Sequence, residues 1–394
     1  MAATERGFAR LIGRNGRIGL PGWLQRAAER WRSLLGTALA GGAAAQAGAA
    51  VLPEDRAEAI FHVYDGGGVK ADGPAVLLRK SLGDRVSLAA QYYVDAVSNA
   101  SIDVVTTASP FKEKRTAWDA SADFLVRDTL LSLSYSKSTE PDYIAEGVGL
   151  DGTVEVYGGM TSVSLGFTRS RDQVGDIRVQ GPIDQATHWQ WRAGVTQILT
   201  PRWLVSLNAE QISDEGFLGS PYRAARVFGA AVPERMPRTR TGRALKLRSI
   251  SDTSALVPRS SFRAEARWYG DSWGVKATTW ELGVAKHLGG RFIVEALVRR
   301  HAQDKALFYS DDAQLETQYV SRNRQLSTFT TTGVGGKLTW TLPNAPLLPP
   351  GGTLNVTGSF ERKQFRFDDF TDSRTGERYA YDANVFQIVV SGSF

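Results

Sequence analysis

Cysteine is absent from the 394 residues. Neither a disulfide framework nor a thiolate metal site can therefore be built, and a chain crossing an oxidising compartment carries no thiol to mispair. Histidine is scarce, at four residues: His62, His188, His287 and His301. No uncharged apolar run approaches the roughly 20 residues that a membrane-spanning helix needs, so a bundle of such helices is excluded. Glycine (40), tyrosine (12) and tryptophan (10) are plentiful instead. A polar average with many glycines and aromatics is common to β-barrels and β-sandwiches.

The net charge of +6 is local. Residues 1–49 hold seven arginines (Arg6, Arg10, Arg14, Arg17, Arg26, Arg30, Arg32) and two acids (Glu5, Glu29). Removing them from the 47 basic and 41 acidic residues leaves 40 and 39, close to neutral. No nucleic-acid partner is expected from that balance. The same stretch runs from an Arg-rich segment into Ser33–Ala45, "SLLGTALAGGAAA", and then into small-x-small sites at Ala45–Ala47 and Ala47–Ala49. Charged, apolar and small-residue regions in that order read as a secretory signal peptide. Residues 1–49 are expected to be a leader and 50–394 the exported domain.

After Pro53 the pattern has period two. In Arg85–Ala96, Val86, Leu88, Ala90, Tyr92 and Val94 share one face, and Arg85, Ser87, Gln91, Tyr93 and Asp95 the other. His188–Gln197 sets Trp189, Trp191, Ala193 and Val195 against His188, Gln190, Arg192 and Thr196. Ser261–Tyr269 sets Phe262, Ala264, Ala266 and Trp268 against Arg263, Glu265 and Arg267. A sandwich also alternates, but three features point to a membrane. The strands are long, roughly 9–13 residues, against the usual 5–6. Aromatics (Trp118, Trp189, Trp203, Trp268, Trp340) stand near the ends of apolar faces, as an interfacial girdle would. The polar face carries full charges and must be wet.

The fold class expected is all-β: a transmembrane antiparallel barrel of about sixteen strands, with 12 to 18 open. The predicted strands are 59–66, 74–81, 84–96, 116–126, 129–139, 142–154, 160–171, 186–198, 203–213, 240–250, 259–269, 274–286, 290–303, 328–341, 352–365 and 380–394. Their connections alternate between turns that are mostly tight, assigned to the periplasm, and long segments (97–115, 172–185, 214–239, 304–327, 366–379), assigned to the outside, with lapses at 67–73 and 270–273. "YDGGGVKADG" (Tyr64–Gly73) lacks the ligand spacing of a calcium loop and the Lys-Ser/Thr of a phosphate loop; it reads as a glycine hairpin turn. The last strand, "ANVFQIVVSGSF", sets Phe386, Ile388, Val390 and Phe394 on one side, and closure would pair it with the first.

The candidate lumen charges are Arg192, Arg263, Glu265, Arg267, Glu295 and Arg299, which would set the selectivity of a pore. Lys112, Lys114 and Arg115 follow the apolar Ile102, Val104 and Val105. They fit either a constriction formed by a loop folded into the pore or the basic tip of a strand pair above the membrane. Arg238, Arg240 and Arg243, in "ERMPRTRTGRALKLR", could contact lipopolysaccharide phosphates or an anionic solute. His188, beside Gln190 and Arg192, is the one histidine placed for hydrolytic chemistry, with a plain lumen role as the alternative. No catalytic, cofactor or metal site is assigned from these residues.

The strand ending in Phe394 resembles the signal that barrel-insertion machinery reads on outer-membrane proteins, with Gly392 where a bulkier residue is more usual. The stretch Leu52–Thr116, "LPEDRAEAIFHVYDGGG" through "SIDVVTTASPFKEKRT", resembles the amino-terminal hallmark of a Gram-negative barrel family known only as a domain of unknown function. "GFLGSPYRAARV" with "ERMPRTRTGRALKLR" resembles its middle segment, and "RWYGDSWGVKATTWELGV" its later strands. The resemblance implies an exported barrel in contact with outer-membrane lipid, lipopolysaccharide and the barrel-assembly machinery. It brings no established activity. It also implies an association with flavin-attaching and thioredoxin-like proteins, hence a periplasmic redox or metal context. Three functions stay open: a channel or substrate-selective pore, a non-conducting platform for periplasmic redox partners, and an outer-membrane hydrolase. The non-enzymatic readings are preferred.

Overall fold

The structure, a computed structural model, describes residues 51–99, 111–176, 179 and 181–394. The leader of residues 1–49 and residues 100–110 of the first long connection lie outside the described residues. The strands are β1 (Arg56–Gly66), β2 (Val69–Leu82), β3 (Val86–Asn99), β4 (Phe111–Val126), β5 (Thr129–Glu140), β6 (Tyr143–Val156), β7 (Thr161–Gly175), β8 (Pro182–Thr200), β9 (Trp203–Gly216), β10 (Ala224–Val227), β11 (Ala230–Pro233), β12 (Thr239–Asp252), β13 (Ser260–Asp271), β14 (Lys276–Leu288), β15 (Phe292–Gln303), β16 (Phe329–Pro343), β17 (Thr353–Thr371) and β18 (Arg378–Ser393). All but β10 and β11 form one closed antiparallel barrel of sixteen strands. β18 seals it against β1, from Arg56 opposite Ser393 to Gly66 opposite Ala383. Closure leaves no edge, so the wall's backbone groups are paired without water.

Each predicted barrel strand is present, and several run further than expected. β8 and β17 reach 19 residues. The extra length lies at the end of the long connections, where β7–β8 and β17–β18 continue as paired strands. At the other end the turns are tight. Arg127 and Asp128 alone join β4 to β5, where Val126 pairs with Thr129. At the outer end the β1–β2 connection is a short exception, with only Gly67 and Gly68, at φ 61° and 78°. Two successive positive-φ residues are what a two-residue hairpin with the native twist requires.

The outer surface is the physical argument for lipid. Leu133 (54% exposed), Leu150 (56%), Leu165 (64%) and Val334 (61%) stand on the outward face of four strands. A belt of that kind running round a soluble protein would be an aggregation surface. Aromatics border it on both sides: Trp118, Trp191, Trp268 and Trp280 towards the long connections, and Trp203, Trp340 and Phe292 towards the tight turns. Trp268 meets Trp280 edge-on at 6.0 Å, and Trp118 lies 5.3 Å from Tyr135. The barrel is an outer-membrane barrel, with the tight turns on the periplasmic side.

Two segments expected to lie outside the barrel mouth behave differently. Residues 217–238 and 304–328 cap the outer half of the lumen and pack on its wall. An apolar segment that would be costly in solvent gains by covering the inward-facing apolar residues of the strands. β10 and β11 form a hairpin inside the first of these segments. It was not apparent from periodicity, because four-residue strands leave too short a pattern.

Candidate functional site: a wet inner lumen beneath an outer cap

Side chains alternate across each strand, so every second residue faces the lumen. Their exposure changes with depth. Along β12, Arg240 is 1% exposed near the outer end, whereas Lys246 reaches 39% and Arg248 26% near the periplasm. β15 repeats the gradient, with His301 and Gln303 buried, Arg299 at 5% and Glu295 at 21%. On β12 and β15 the lumen face thus becomes more exposed towards the periplasm, whereas on β1 to β4 Glu58, Arg79, Ser87 and Asp123 stay buried near the periplasmic end.

The inner lumen is lined by an ion network from adjacent strands. Glu281 on β14 accepts from Arg263 at 2.7 Å and from Arg299 Nε at 2.7 Å. Arg299 also faces Glu361 at 3.7 Å, and Lys363 lies 3.3 Å from Glu361. Glu265 on β13, in register with Glu281, lies within 3.2 Å of Lys246, 3.1 Å of Arg248 and 3.6 Å of Arg263. Lys337 pairs with Glu295. Further round the wall, on β8, Arg192 donates to Asp151 at 2.8 Å, Gln190 at 2.7 Å and Thr168 at 3.0 Å. Arg267 approaches Glu210 at 3.4 Å. A cavity of about 210 Å³ lies against this network, lined by Arg248, Arg263, Glu295, Lys337, Ser261 and His287 among others. Charges held in fixed geometry beside water can discriminate solutes by charge, because a passing ion meets oriented groups in a reduced dielectric.

The cap is built from two segments tied together by backbone hydrogen bonds. Arg235 and Val320 exchange a pair, at 3.0 and 2.9 Å, and Ala313 donates to Arg226 at 2.9 Å. The segment 304–328 is anchored to β17 and β18. Arg322 donates to Asp311 and to the Thr371 carbonyl, with its guanidinium 4.4 Å from the Phe370 ring centre. Tyr309 donates to the Asp369 carbonyl at 3.0 Å. The segment 217–238 reaches the β5–β6 turn, where Tyr222 donates to Asp142. Beneath them lies one apolar cluster of cap and wall residues, including Leu218, Trp273, Leu326, Phe329, Phe365 and Phe370.

All six residues predicted to line the lumen (Arg192, Arg263, Glu265, Arg267, Glu295 and Arg299) point into it. The three predicted loop arginines are not brought together. Arg238 forms a two-pronged pair with Asp184 at 2.7 and 2.8 Å. Arg240 faces inward, buried against Asp271 and 4.4 Å from the Trp273 ring centre. Arg243 points outward and donates to Gln211 at 3.2 Å. Lys112, Lys114 and Arg115 sit on β4, where β3 and β4 pair as far as Asn99 opposite Phe111. Arg115 is buried and donates to Ser138 at 2.7 Å, while Lys114 is exposed. The extended strand pair, rather than a loop folded into the pore, therefore describes the part of this hairpin that can be seen.

His188 is fully buried, with Nδ1 2.7 Å from Asp214 and Nε2 3.1 Å from Asp172. Both nitrogens face carboxylates, the arrangement of a doubly donating imidazolium rather than of a general base open to substrate. His62 is also buried, with Nε2 2.8 Å from Asp95 and 3.1 Å from the Tyr93 hydroxyl. Glu281, Glu361, Lys337 and the His62–Asp95 pair were not singled out in sequence. They acquire partners through register with neighbouring strands, which periodicity does not encode. Among the described residues, no set of three or more His, Asp or Glu side chains is arranged to hold a metal ion. Phe394 lies at the sealed seam, its N–H donating to the Asp55 carbonyl at 3.0 Å and Lys80 5.1 Å from its ring centre.

Residues 175–348 match the model of a family described as a protein of unknown function (DUF3570). The match takes in the middle and later stretches quoted above, and the Leu52–Thr116 stretch lies outside it. No curated protein matches the chain. Among solved structures, a bacterial polysaccharide outer-membrane secretin is similar over 87% of this chain and 100% of its own, at 10% identity and a TM-score of 0.50. The siderophore receptor PirA from Pseudomonas aeruginosa is similar over 86% and 81%, at 11% identity and 0.40. A Pseudomonas aeruginosa FadL homologue is similar over 87% and 91%, at 12% identity and 0.37. At such identities the likeness to the first of these concerns the fold. The chain is thus a closed sixteen-stranded barrel of the outer-membrane kind in which residues 175–348 match the DUF3570 model, of unknown function.

Proposed function

We propose that this protein is an outer-membrane channel for a charged or polar solute, with a charged periplasmic chamber and an outer gate made by residues 217–238 and 304–328. The observation that carries the reading is the depth gradient along β12 and β15: their charged lumen groups are buried beneath the cap and more exposed below it. A sixteen-stranded wall is wide enough for an aqueous path once the cap is displaced. Arg263, Glu265, Arg267, Glu295 and Arg299, with Arg192 further round the wall, would set charge preference. The inward-packed cap favours one competing reading, a non-conducting platform for a periplasmic partner, of which a redox protein is the candidate.

Planar-bilayer conductance separates the two. Ala306 N–H donates to Leu326 O at 2.8 Å, so residues 307–325 can be replaced by a short Gly-Ser linker without moving the strand ends. The channel reading expects brief, sparse openings from the intact protein and sustained conductance from the shortened one. Silence from both, with folded barrels confirmed by gel mobility, would refute it. Co-purification of a periplasmic redox protein would then be the next observation for the platform.

A further inference from the structure

Outward-facing residues of β15, β17 and β18 change character at one level. Towards the periplasm they are apolar: Val298, Phe360 and Phe386 are each at least 41% exposed. Beyond them on the same face stand Arg300 on β15, Arg362, Gln364 and Arg366 on β17, and Asn384 and Asp382 on β18. Register places them side by side. Arg300 is opposite Thr332, Thr332 opposite Gln364, and Gln364 opposite Asp382, with Arg362 and Arg366 flanking Gln364. Arg300 donates to Thr332 at 2.7 Å. Arg362 and Arg366 share Asp382, at 2.8 and 3.3 Å. They keep 58% and 50% of their side-chain surface exposed. One step further from the membrane stand Arg378 and Asp368, both exposed. Four arginines and two aspartates thus stand on the outward face above the apolar belt, on the side of the long connections, with Asp382 shared by Arg362 and Arg366.

An excess of guanidinium at that height has a specific chemical complement. The outer-leaflet interface is where the phosphates of a phosphorylated glycolipid lie, with acyl chains against the belt below. Planar guanidinium groups bind phosphate oxygens in pairs and hold them better than ammonium groups do. We propose that Arg300, Arg362, Arg366 and Arg378 form a binding site for the phosphates of lipid A, the membrane anchor of lipopolysaccharide, whose acyl chains would rest on Val298, Val334, Phe360 and Phe386. The site lies on the outside of the barrel, away from the lumen groups, and rests on the outer-membrane placement rather than on conduction.

The test is native mass spectrometry of the purified full barrel titrated with bis-phosphorylated lipid A and, separately, with its dephosphorylated form. Wild-type protein should retain the phosphorylated form selectively. The triple variant R300Q/R362Q/R366Q should bind it on the order of 100-fold more weakly, taking about five-fold per interfacial arginine. D382N, which releases Arg362 and Arg366 and removes no basic group, should bind it more tightly. It keeps the test decisive should the triple variant fail to fold. Inorganic phosphate at millimolar concentration should not displace the lipid. Equal retention of both lipid forms by wild-type protein, or no gain in D382N, would overturn the proposal.

Discussion

Replacing Glu281 with Ala is the most informative single perturbation of the lumen. Glu281 engages Arg263 with one oxygen and Arg299 with the other, and its side chain and that of Arg299 are each 5% exposed. Removing the carboxylate leaves Arg299 with Glu361 at 3.7 Å and leaves Arg263 with Glu265 at 3.6 Å. Breaking a buried pair from one side costs about 3–5 kcal/mol, mostly because the remaining charge stays desolvated. Arg263 is 14% exposed and borders the hydrated chamber, so the lower end, about 3 kcal/mol, is expected. Replacing both partners, as in E281L/R299M, should recover most of the loss, since apolar residues of similar volume do not leave a lone charge. Equilibrium urea unfolding in lipid vesicles, followed by tryptophan fluorescence and gel mobility, measures both. A loss below about 1 kcal/mol for E281A is the range of a solvated surface pair. It would mean that water fills the lumen to the depth of Glu281, and the closed outer half would be wrong.

Two further outcomes follow from named contacts. In R322A the segment 304–328 loses its bonds to Asp311 and Thr371 and its place over Phe370, so protease cleavage within 304–328 and the frequency of channel openings should both rise severalfold, with unchanged barrel mobility on gels. In Gly66→Val the new Cβ would sit 2.5 Å from the Ala383 Cα across the β1–β18 seam, so the fraction of folded, heat-modifiable protein should fall sharply, whereas Gly83→Val, in an open turn, should fold with a smaller loss arising from its φ of 68°.

The barrel itself was legible in the sequence because lipid on one side and water on the other impose alternation. Thr161–Arg169 and Ser261–Tyr269 need no tertiary information to assign. The cap was not legible, since it depends on contacts between segments far apart in the chain. Even so, it left a trace in the strands. In β2, Val69, Ala71 and Ala75 face inward and join the apolar cluster under the cap, while Val76 and Leu78 face outward, so the strand is apolar on both sides. In β17, Phe365 and Phe367 share the inward face with Glu361 and Lys363. An inward-facing aromatic in a lumen strand marks wall that meets protein rather than water. The lumen charges were visible one at a time, but their pairing was not. Glu281 meets Arg299 because β14 and β15 pair in that register. Arg240, read as a loop charge, belongs to β12 and turns inward.

The central claim is that β12 separates lipid from water and that its lumen face is sealed near the outside. The absence of native cysteine allows single cysteines at Ala244, Leu245, Lys246, Leu247 and Arg248 to carry a nitroxide spin label in the reconstituted full-length protein. Relaxation by oxygen should dominate at 245 and 247, and relaxation by a water-soluble nickel chelate at 246 and 248, with neither reaching 244. Equal access of the nickel reagent to all five positions would contradict both the membrane span and the outer closure.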